Sequence, residues 1–405
     1  MTTQIRVLEN EGDLIAAVNL FRTAMVGFPR MPNLPPGQIS KLLEPGRTIG
    51  AFVDGHLVGT ADAQTCGLTL PGGAIVDHAG VTHIGVLPSF TRQGIATGLV
   101  RQQLRDFAAR GEVVATLRAS EATIYGRYGY GVASSCQSVE VQTARAALRP
   151  GVGGGGRVRL LDPGDRWDVL PRIYAENRSP RPGTVDRAPV WWQGAQMRAA
   201  ASPGASYVAV HGERGSESGF ARYHPIDTEQ WFISNQRSVV VEDFFAPTTE
   251  AYLGLLRFLF GLDLVDRVVF WMMPVDDPLP LLLIDRRAVK VTAKYDETWL
   301  RVVDVQKALS ARRYAADASV TIVVNDPLLQ DNSASFTITG DGAEPTNRPA
   351  QLRVGIEGLG AVLLGGTTWR SLSVAGMVQA EDPAALVKAD QLFAVPDAPY
   401  AGFFF

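Results

Sequence analysis

The residues best placed to do chemistry lie where a strand-like run, VTHIGV (81–86), reaches a proline, turns, and opens into a helix-like run. The turn reads Thr91-Arg92-Gln93-Gly94-Ile95-Ala96, with Thr97 following. A helix start leaves main-chain N–H groups unpaired and carries about half a positive charge, so it can hold a phosphate or pyrophosphate. Gly94 lets the backbone come close to such an anion, and Ala96 keeps the first turn slim. The turn has no Walker lysine and no G-x-G-x-x-G, which disfavours P-loop and Rossmann sites. Cys66 and Cys136 are the two cysteines. They cannot form a disulfide framework or a zinc site by themselves and read as reduced thiols in a reducing compartment. No metal is expected.

The elements around that turn form a mixed pattern. EGDLIAAVNLFRTAM (11–25) is a predicted helix, with Leu14, Val18, Phe21 and Met25 at spacings of three and four. GAFVDGHLVGTADA holds two strands around Asp54-Gly55, a pair suited to a type I′ turn. Then come a strand (AGVTHIGV), a helix striped by Ile95, Leu99, Leu104 and Phe107, a strand (EVVATLRA), a short helix (EATIYGRYG) and a closing strand, VASSCQSVEVQTA. This is an α/β order around one sheet.

RPGVGGGGR (149–157) is read as a linker, because a glycine run offers nothing to pack. A second unit (158–293) repeats the order roughly, with strands at RVRLLDP, YVAVHG, GFARYHP and RSVVVEDF. From residue 294 the pattern turns helix-like at VQKALSARRY, then gives strands (SVTIVV, SFTITG, QLRVGIEG) and late helices, an α+β order.

The chain of 405 residues carries 38 basic and 41 acidic side chains, a net charge of −3, and is 46% hydrophobic. Two or three domains are expected from that length. The balance argues against nucleic acid as a partner, which would need a concentrated basic surface. The most apolar stretch, VVFWMMPVDDPLPLLLI (268–284), is interrupted by Asp276, Asp277 and three prolines, too broken for a membrane helix. No signal peptide is visible at the start, so a cytoplasmic protein is expected.

Taken with its neighbours, the turn resembles the pyrophosphate loop of the GCN5-related N-acetyltransferases, Arg/Gln-x-x-Gly-x-Gly/Ala, with Thr91 in place of the usual first residue. About 30 residues on, Tyr125, Gly129 and Tyr130 match that superfamily's Tyr-x-x-x-Gly-Phe, Tyr130 standing for the phenylalanine. The longer string Ala-Ser-Glu-x-x-Ile-Tyr-Gly-Arg-Tyr-Gly-Tyr-Gly (119–131) is similar to the enhanced intracellular survival (Eis) acetyltransferases. So are GLD (261–263), DPLPLLLIDRR (277–287), WLRVVDVQKAL (299–309) and the phenylalanine-rich end.

The resemblance implies an acetyl-CoA-binding acetyltransferase domain (1–150), the Gly-rich linker (151–157), a second domain of that type without a pyrophosphate loop (158–293), and a sterol-carrier-like domain (294–405). It also implies a homohexamer and a small-molecule amine acceptor such as an aminoglycoside, a polyamine or a lysine-type amine. By family position Ile84, Gly85 and Val86 line the acetyl and pantetheine arm, at a β-bulge whose N–H polarises the thioester oxygen. Thr91 to Thr97 hold the pyrophosphate, and Ser120 touches the cofactor.

Tyr125 is the implied general acid; a phenol titrating near 10 can donate to a thiolate whose acid titrates near 8.5. The implied base is the terminal carboxylate of Phe405. His83 and His78, read as strand histidines, are expected to be structural. The family's acidic residues on the first helix and before the last position are replaced here by the Phe21-Arg22-Thr23-Ala24 region and Phe404. The acceptor pocket should therefore be more apolar than is usual in the family. Glu242 and Asp243 are read as a solvated strand end. The other readings are a lipid carrier built on the last domain, or an inactive scaffold that binds partners.

Overall fold

A computed structural model of the chain describes residues 3–28, 31, 34–202 and 204–404. Its strands form three sheets of seven, seven and five strands. The first contains β1 (Gln4–Val7), β2 (Ile49–Val53), β3 (His56–Thr69), β4 (Ile75–Val86), β5 (Val114–Leu117) and β6 (Gly131–Val132). β1, absent from the sequence reading, is a short edge strand, mostly exposed, with too little alternation to be seen. Asp54 and Gly55 both have positive φ, 49° and 77°, as the expected β2–β3 turn demands.

Helices α1 (Glu11–Ala24) and α2 (Ile95–Arg110) pack on this sheet. Asn10 caps α1 by accepting the Asp13 N–H at 2.8 Å. The expected stripe of α2, Ile95, Leu99, Leu104 and Phe107, is buried, with Ile95 and Leu99 against Val58 and Ala61 of β3.

Two strands do not sit where local pattern put them. The predicted closing strand of the first unit, Ser135–Gln142, pairs instead with Arg267–Pro274 and Val289–Asp296 in the second sheet. Its inward residues Val139 and Val141 fill that sheet's core. The first sheet is completed by Trp299–Val302, inserted between β5 and β6, in a region read as the start of a helical pattern. All four of its residues are buried, so no alternation marks them. The glycine run is not a free tether: Arg257 donates to the carbonyls of Val152 and Gly153 and holds it against helix Thr249–Phe260.

In the second sheet, strand Ser238–Phe245 leads to helix Thr249–Phe260 through Ala246, Pro247 and Thr248. Thr248 caps that helix by accepting the Ala251 N–H at 3.2 Å. This turn has no glycine, and the Thr248 side chain already occupies the helix start. The third sheet, in order Gly342–Pro345, Ser335–Thr339, Ser319–Asn325, Leu352–Gly355, Val378–Ala380, carries helices Ile356–Leu363 and Pro383–Phe393.

Helix Ile356–Leu363 docks on the first sheet with almost no gap. A Cβ on Gly131 would lie 2.1 Å from the Glu357 carbonyl oxygen and 2.7 Å from the Ala361 nitrogen. Arg301, on the inserted strand, forks onto Asp326 of the third unit at 2.7 and 2.8 Å and donates Nε to the Tyr128 carbonyl at 2.9 Å. Both charges are fully buried. Such a pair defines a unique geometry more than it adds net stability. Here it fixes the segment that carries Tyr125.

Candidate active site

β4 and β5 run parallel only over His78–Gly80 and Val114–Thr116. Beyond Gly80, β4 continues to Val86 with β3 on one side and no strand partner on the β5 side. That leaves a slot in which an extended chain could pair as another strand would. The β3 pairing slips between Thr60↔Gly85 and Asp62↔Thr82, so the expected β-bulge falls at His83–Ile84. His83 has φ 51°, in the left-handed region.

The two faces of this strand end differ. Ile84 packs toward the cluster containing Tyr125, Tyr128 and Leu117. Gly85 lies under α1, where a Cβ would be 3.1 Å from Ala24 Cβ and 3.2 Å from Phe21 Cα. Val86 pairs with Gly59 and packs on the Ile49–Leu99 cluster.

At the end of the slot, Thr91, Arg92, Gln93 and Gly94 are exposed. Arg92 and Gly94 have φ 62° and 80°, which turn the backbone into the first turn of α2. Nothing lies within 4 Å of a Cβ placed on Gly94, so the surface above it is open. No side chain caps α2 and its first turn has no acidic residue. Its first N–H groups are therefore available to an anion. Ile95 offers only its main chain, since its side chain is in the core, whereas Ala96 and Thr97 are half-buried at the turn. Thr91 Oγ1 donates to the Pro88 carbonyl at 3.1 Å, so this residue holds the turn itself.

Thr97 Oγ1 lies 2.9 Å from the Tyr128 hydroxyl, joining the start of α2 to the tyrosine segment. That segment is α3 (Ala122–Tyr125) followed by a tight turn, Gly126–Tyr128. Tyr125 is buried, with its ring edge-on to Tyr130 at 6.1 Å. Burial pushes its phenol above the ordinary range, while a hydrogen bond with Ser120 pulls it the other way. Ser120 is exposed, five residues before the tyrosine.

The chain's end converges on the same region. The buried Glu297 carboxylate accepts the N–H of Ala401 at 3.1 Å, the N–H of Gly402 at 2.9 Å and the Ser134 hydroxyl at 2.7 Å. Arg118, one residue beyond β5, pairs with Glu297 at 3.2 Å and donates to the Phe403 carbonyl. Trp191 Nε1 donates to the Phe404 carbonyl at 2.5 Å. Phe403 is buried against Trp191, and Phe404 stacks on Trp271. Phe405, the expected base, lies outside the described residues. Sequence reading did not find this anchorage; Glu297 sits in the polar stretch KYDETW with no local signal.

On the α1 side, Phe21, half-exposed Phe28 and exposed Val26 form an apolar lip. Phe21 packs edge-on to His83 at 4.9 Å. His83 Nδ1 faces the buried carboxylate of Asp62 at 3.3 Å. His78, by contrast, is wholly buried with Nε2 2.6 Å from Thr116 Oγ1, and burial drives its pKa down to about 3. Asp243 departs from the sequence reading. It is buried in a two-pronged pair with Arg187 at 2.7 and 2.9 Å, while Glu242 pairs with Arg222 and His224 at the surface. The Arg187 guanidinium is in turn enclosed by Tyr174, Trp191 and Phe403.

A cleft of about 910 Å³ lies elsewhere, between the second and third units beside Arg181, Tyr252 and Asp277; it includes none of residues 84–97. Among the described residues no group of three or more His, Cys, Asp or Glu side chains is arranged to hold a metal ion. Among them, too, no helix is long and apolar enough to cross a membrane. Burial raises both cysteine thiols to about 12, so neither is a ready nucleophile.

The chain is similar to known proteins over most of its length. Acetyltransferase (GNAT) domain families match residues 4–133 and 183–302, and a sterol carrier protein domain matches 305–402. An uncharacterized N-acetyltransferase of Streptomyces avermitilis is 35% identical over 89% of either chain. N-acetyltransferase Eis of Mycobacterium tuberculosis is 31% identical over 85% of either chain. The crystal structure of Eis1 from Mycobacterium abscessus superposes with a TM-score of 0.92 at 45% identity, covering 99% of this chain and 100% of its own.

Proposed function

Since the chain belongs to the Eis family of GCN5-related N-acetyltransferases, we propose that it moves the acetyl group of acetyl-CoA directly onto the amino group of a small-molecule amine, with Tyr125 as general acid and the terminal carboxylate of Phe405 as base. The observation that carries this reading is the slot itself. The unpaired end of β4 runs from the open turn at Gly94 toward Tyr125, and the Thr97–Tyr128 hydrogen bond joins the two ends.

Each group has a defined task. The N–H groups at the start of α2 neutralise the pyrophosphate, and the strand from Ile84 to Val86 pairs with the pantetheine arm. An N–H at the bulge donates to the thioester oxygen where negative charge develops. Tyr125 stays protonated at neutral pH because burial raises its phenol, so it can give its proton to the departing thiolate. Glu297, Arg118 and Trp191 hold residues 401–404, which limits where a carboxylate at position 405 can reach.

The acceptor side is aromatic. Phe21, Phe28 and Val26 line it, and this stretch of α1 reads Phe21-Arg22-Thr23-Ala24, with no acidic residue. We read the acceptor as an amine carrying an apolar or aromatic portion rather than a highly charged aminoglycoside. The homohexamer and cytoplasmic setting belong to the same proposal; exposed Phe232 and Ile233 on the second unit are the kind of surface an assembly covers.

The test is release of coenzyme A thiol from acetyl-CoA with a panel of arylalkylamines, polyamines and aminoglycosides, with the acetylated product identified by mass. Turnover with at least one amine is expected, strongest for the arylalkylamines. No thiol release above hydrolysis with any of them would overturn the reading.

A further inference from the structure

We infer that His83, held by Asp62, is a second proton-handling group of this site: it takes the first proton from the ammonium form of the acceptor. The inference rests on the acetyl-transfer reading above and adds a residue to it. Three observations meet at His83. It sits at the bulge of β4, beside the residues that line the slot, in a left-handed conformation that residues other than glycine seldom adopt. Its ring faces the acceptor lip through Phe21 and keeps 29% of its side chain exposed. Behind it, Asp62 has 1% of its side chain exposed and is fixed by the Thr48 hydroxyl at 2.9 Å.

A buried carboxylate behind a partly exposed imidazole orients the ring. With Nδ1 committed to Asp62, Nε2 is the nitrogen left for the acceptor. β4 has no further charged group between His78 and its end, and α1 contributes Arg22, whose guanidinium lies over Phe28.

The chemistry requires two protons to leave the acceptor nitrogen. An alkylammonium titrates near 10.4 and cannot attack in that form. In the first step one N–H bond of R–NH3+ breaks, His83 becomes imidazolium, and the proton passes to water through the exposed edge of the ring. The free amine then forms the C–N bond as the thioester C–S bond breaks. The second nitrogen proton goes to the chain-end carboxylate, and Tyr125 supplies the proton that makes coenzyme A leave as a thiol. The carboxylic acid then returns a proton to Tyr125. The sum is R–NH3+ plus acetyl-CoA giving the amide, coenzyme A and one proton to solvent.

The test is the pH dependence of kcat/KM, with phenethylamine as acceptor, in the full-length protein, His83→Asn and Asp62→Asn. Asparagine tolerates the left-handed backbone, so the bulge should survive. The native protein should show a rising limb in the imidazole range. His83→Asn should lose that limb and fall ~10²-fold near neutral pH, with the deficit shrinking toward pH 9 and acetyl-CoA binding unchanged. Asp62→Asn, which loosens the ring's orientation, should lower kcat/KM near neutral pH with acetyl-CoA binding unchanged, and added imidazole should partly restore His83→Asn. A His83→Asn protein within threefold of native at every pH, or one depressed equally at every pH, would overturn the inference while leaving the acetyl-transfer reading intact. Native protein that releases no thiol would overturn both.

Discussion

The Glu297 carboxylate accepts the main-chain N–H of Gly402 at 2.9 Å. It ties the stretch that leads back into the first sheet to the end of the chain, and a third tie runs to Arg118 beside β5. Segments far apart in the chain therefore meet at one buried acid. Glu297→Gln removes the charge opposite Arg118 and leaves one side-chain oxygen for four donors. Breaking a buried pair from one side costs about 3–5 kcal/mol, less here if the tail simply lets go. Carboxypeptidase should trim residues 401–405 of the variant much faster than those of the native protein, and kcat should fall with KM for acetyl-CoA unchanged. Equal resistance to trimming would mean the tail is held by other contacts.

One glycine appended after Phe405 should abolish turnover, because it converts the terminal carboxylate into a neutral amide. A tag at the other end should not matter. Acetyl-CoA binding and circular dichroism, measured on the same samples, should match the native protein. Full turnover by the folded, extended chain would move the base away from the chain's end, leaving His83 to serve alone.

Gly94→Glu should weaken coenzyme A binding at least tenfold in titration calorimetry. The cause is a carboxylate at an open helix start that serves an anion, together with the strain of φ 80°. Open space above the Cβ keeps the folding cost to about 1 kcal/mol. Native affinity would show that this turn is not the pyrophosphate site.

His78 gives stability a pH dependence of known sign. Its folded pKa of about 3 lies below the ordinary value near 6.5. Between those values the unfolded chain binds the proton and the folded one does not, so stability falls as pH drops through this window and is unaffected above it. Near pH 5 the loss from this group should be about 2 kcal/mol. The Tm of the native protein should drop more steeply from pH 7.5 to 5 than that of His78→Gln, whose amide can still meet Thr116. Parallel curves would contradict this assignment.

Much of the slot was legible because its signals are local. A strand, a proline, Gly94 and the stripe Ile95–Phe107 specify a strand, turn and uncapped helix from neighbouring residues alone, and Tyr125 follows at a fixed spacing. What was hidden depends on partners far apart in sequence. Trp299–Val302 is buried on both faces and carries no period, so nothing local says it enters the sheet between β5 and β6. Val139 and Val141 alternate as a strand should, yet alternation does not choose between two sheets. Gly131 looked like part of a motif, and its reason is the backbone of Glu357 lying against it. His83 read as a structural histidine until the bulge turned it toward Phe21 and placed Asp62 behind it.

The most direct measurement is turnover by Tyr125→Phe beside its affinity for acetyl-CoA. The change removes one hydroxyl and leaves the ring edge-on to Tyr130. The account predicts unchanged affinity and a kcat lower by about 10²–10⁴. Because burial raises the phenol, the native protein should also keep its activity on the alkaline side through pH 9. A Tyr125→Phe protein with near-native kcat would contradict the account, because the thiolate would then be leaving without this acid.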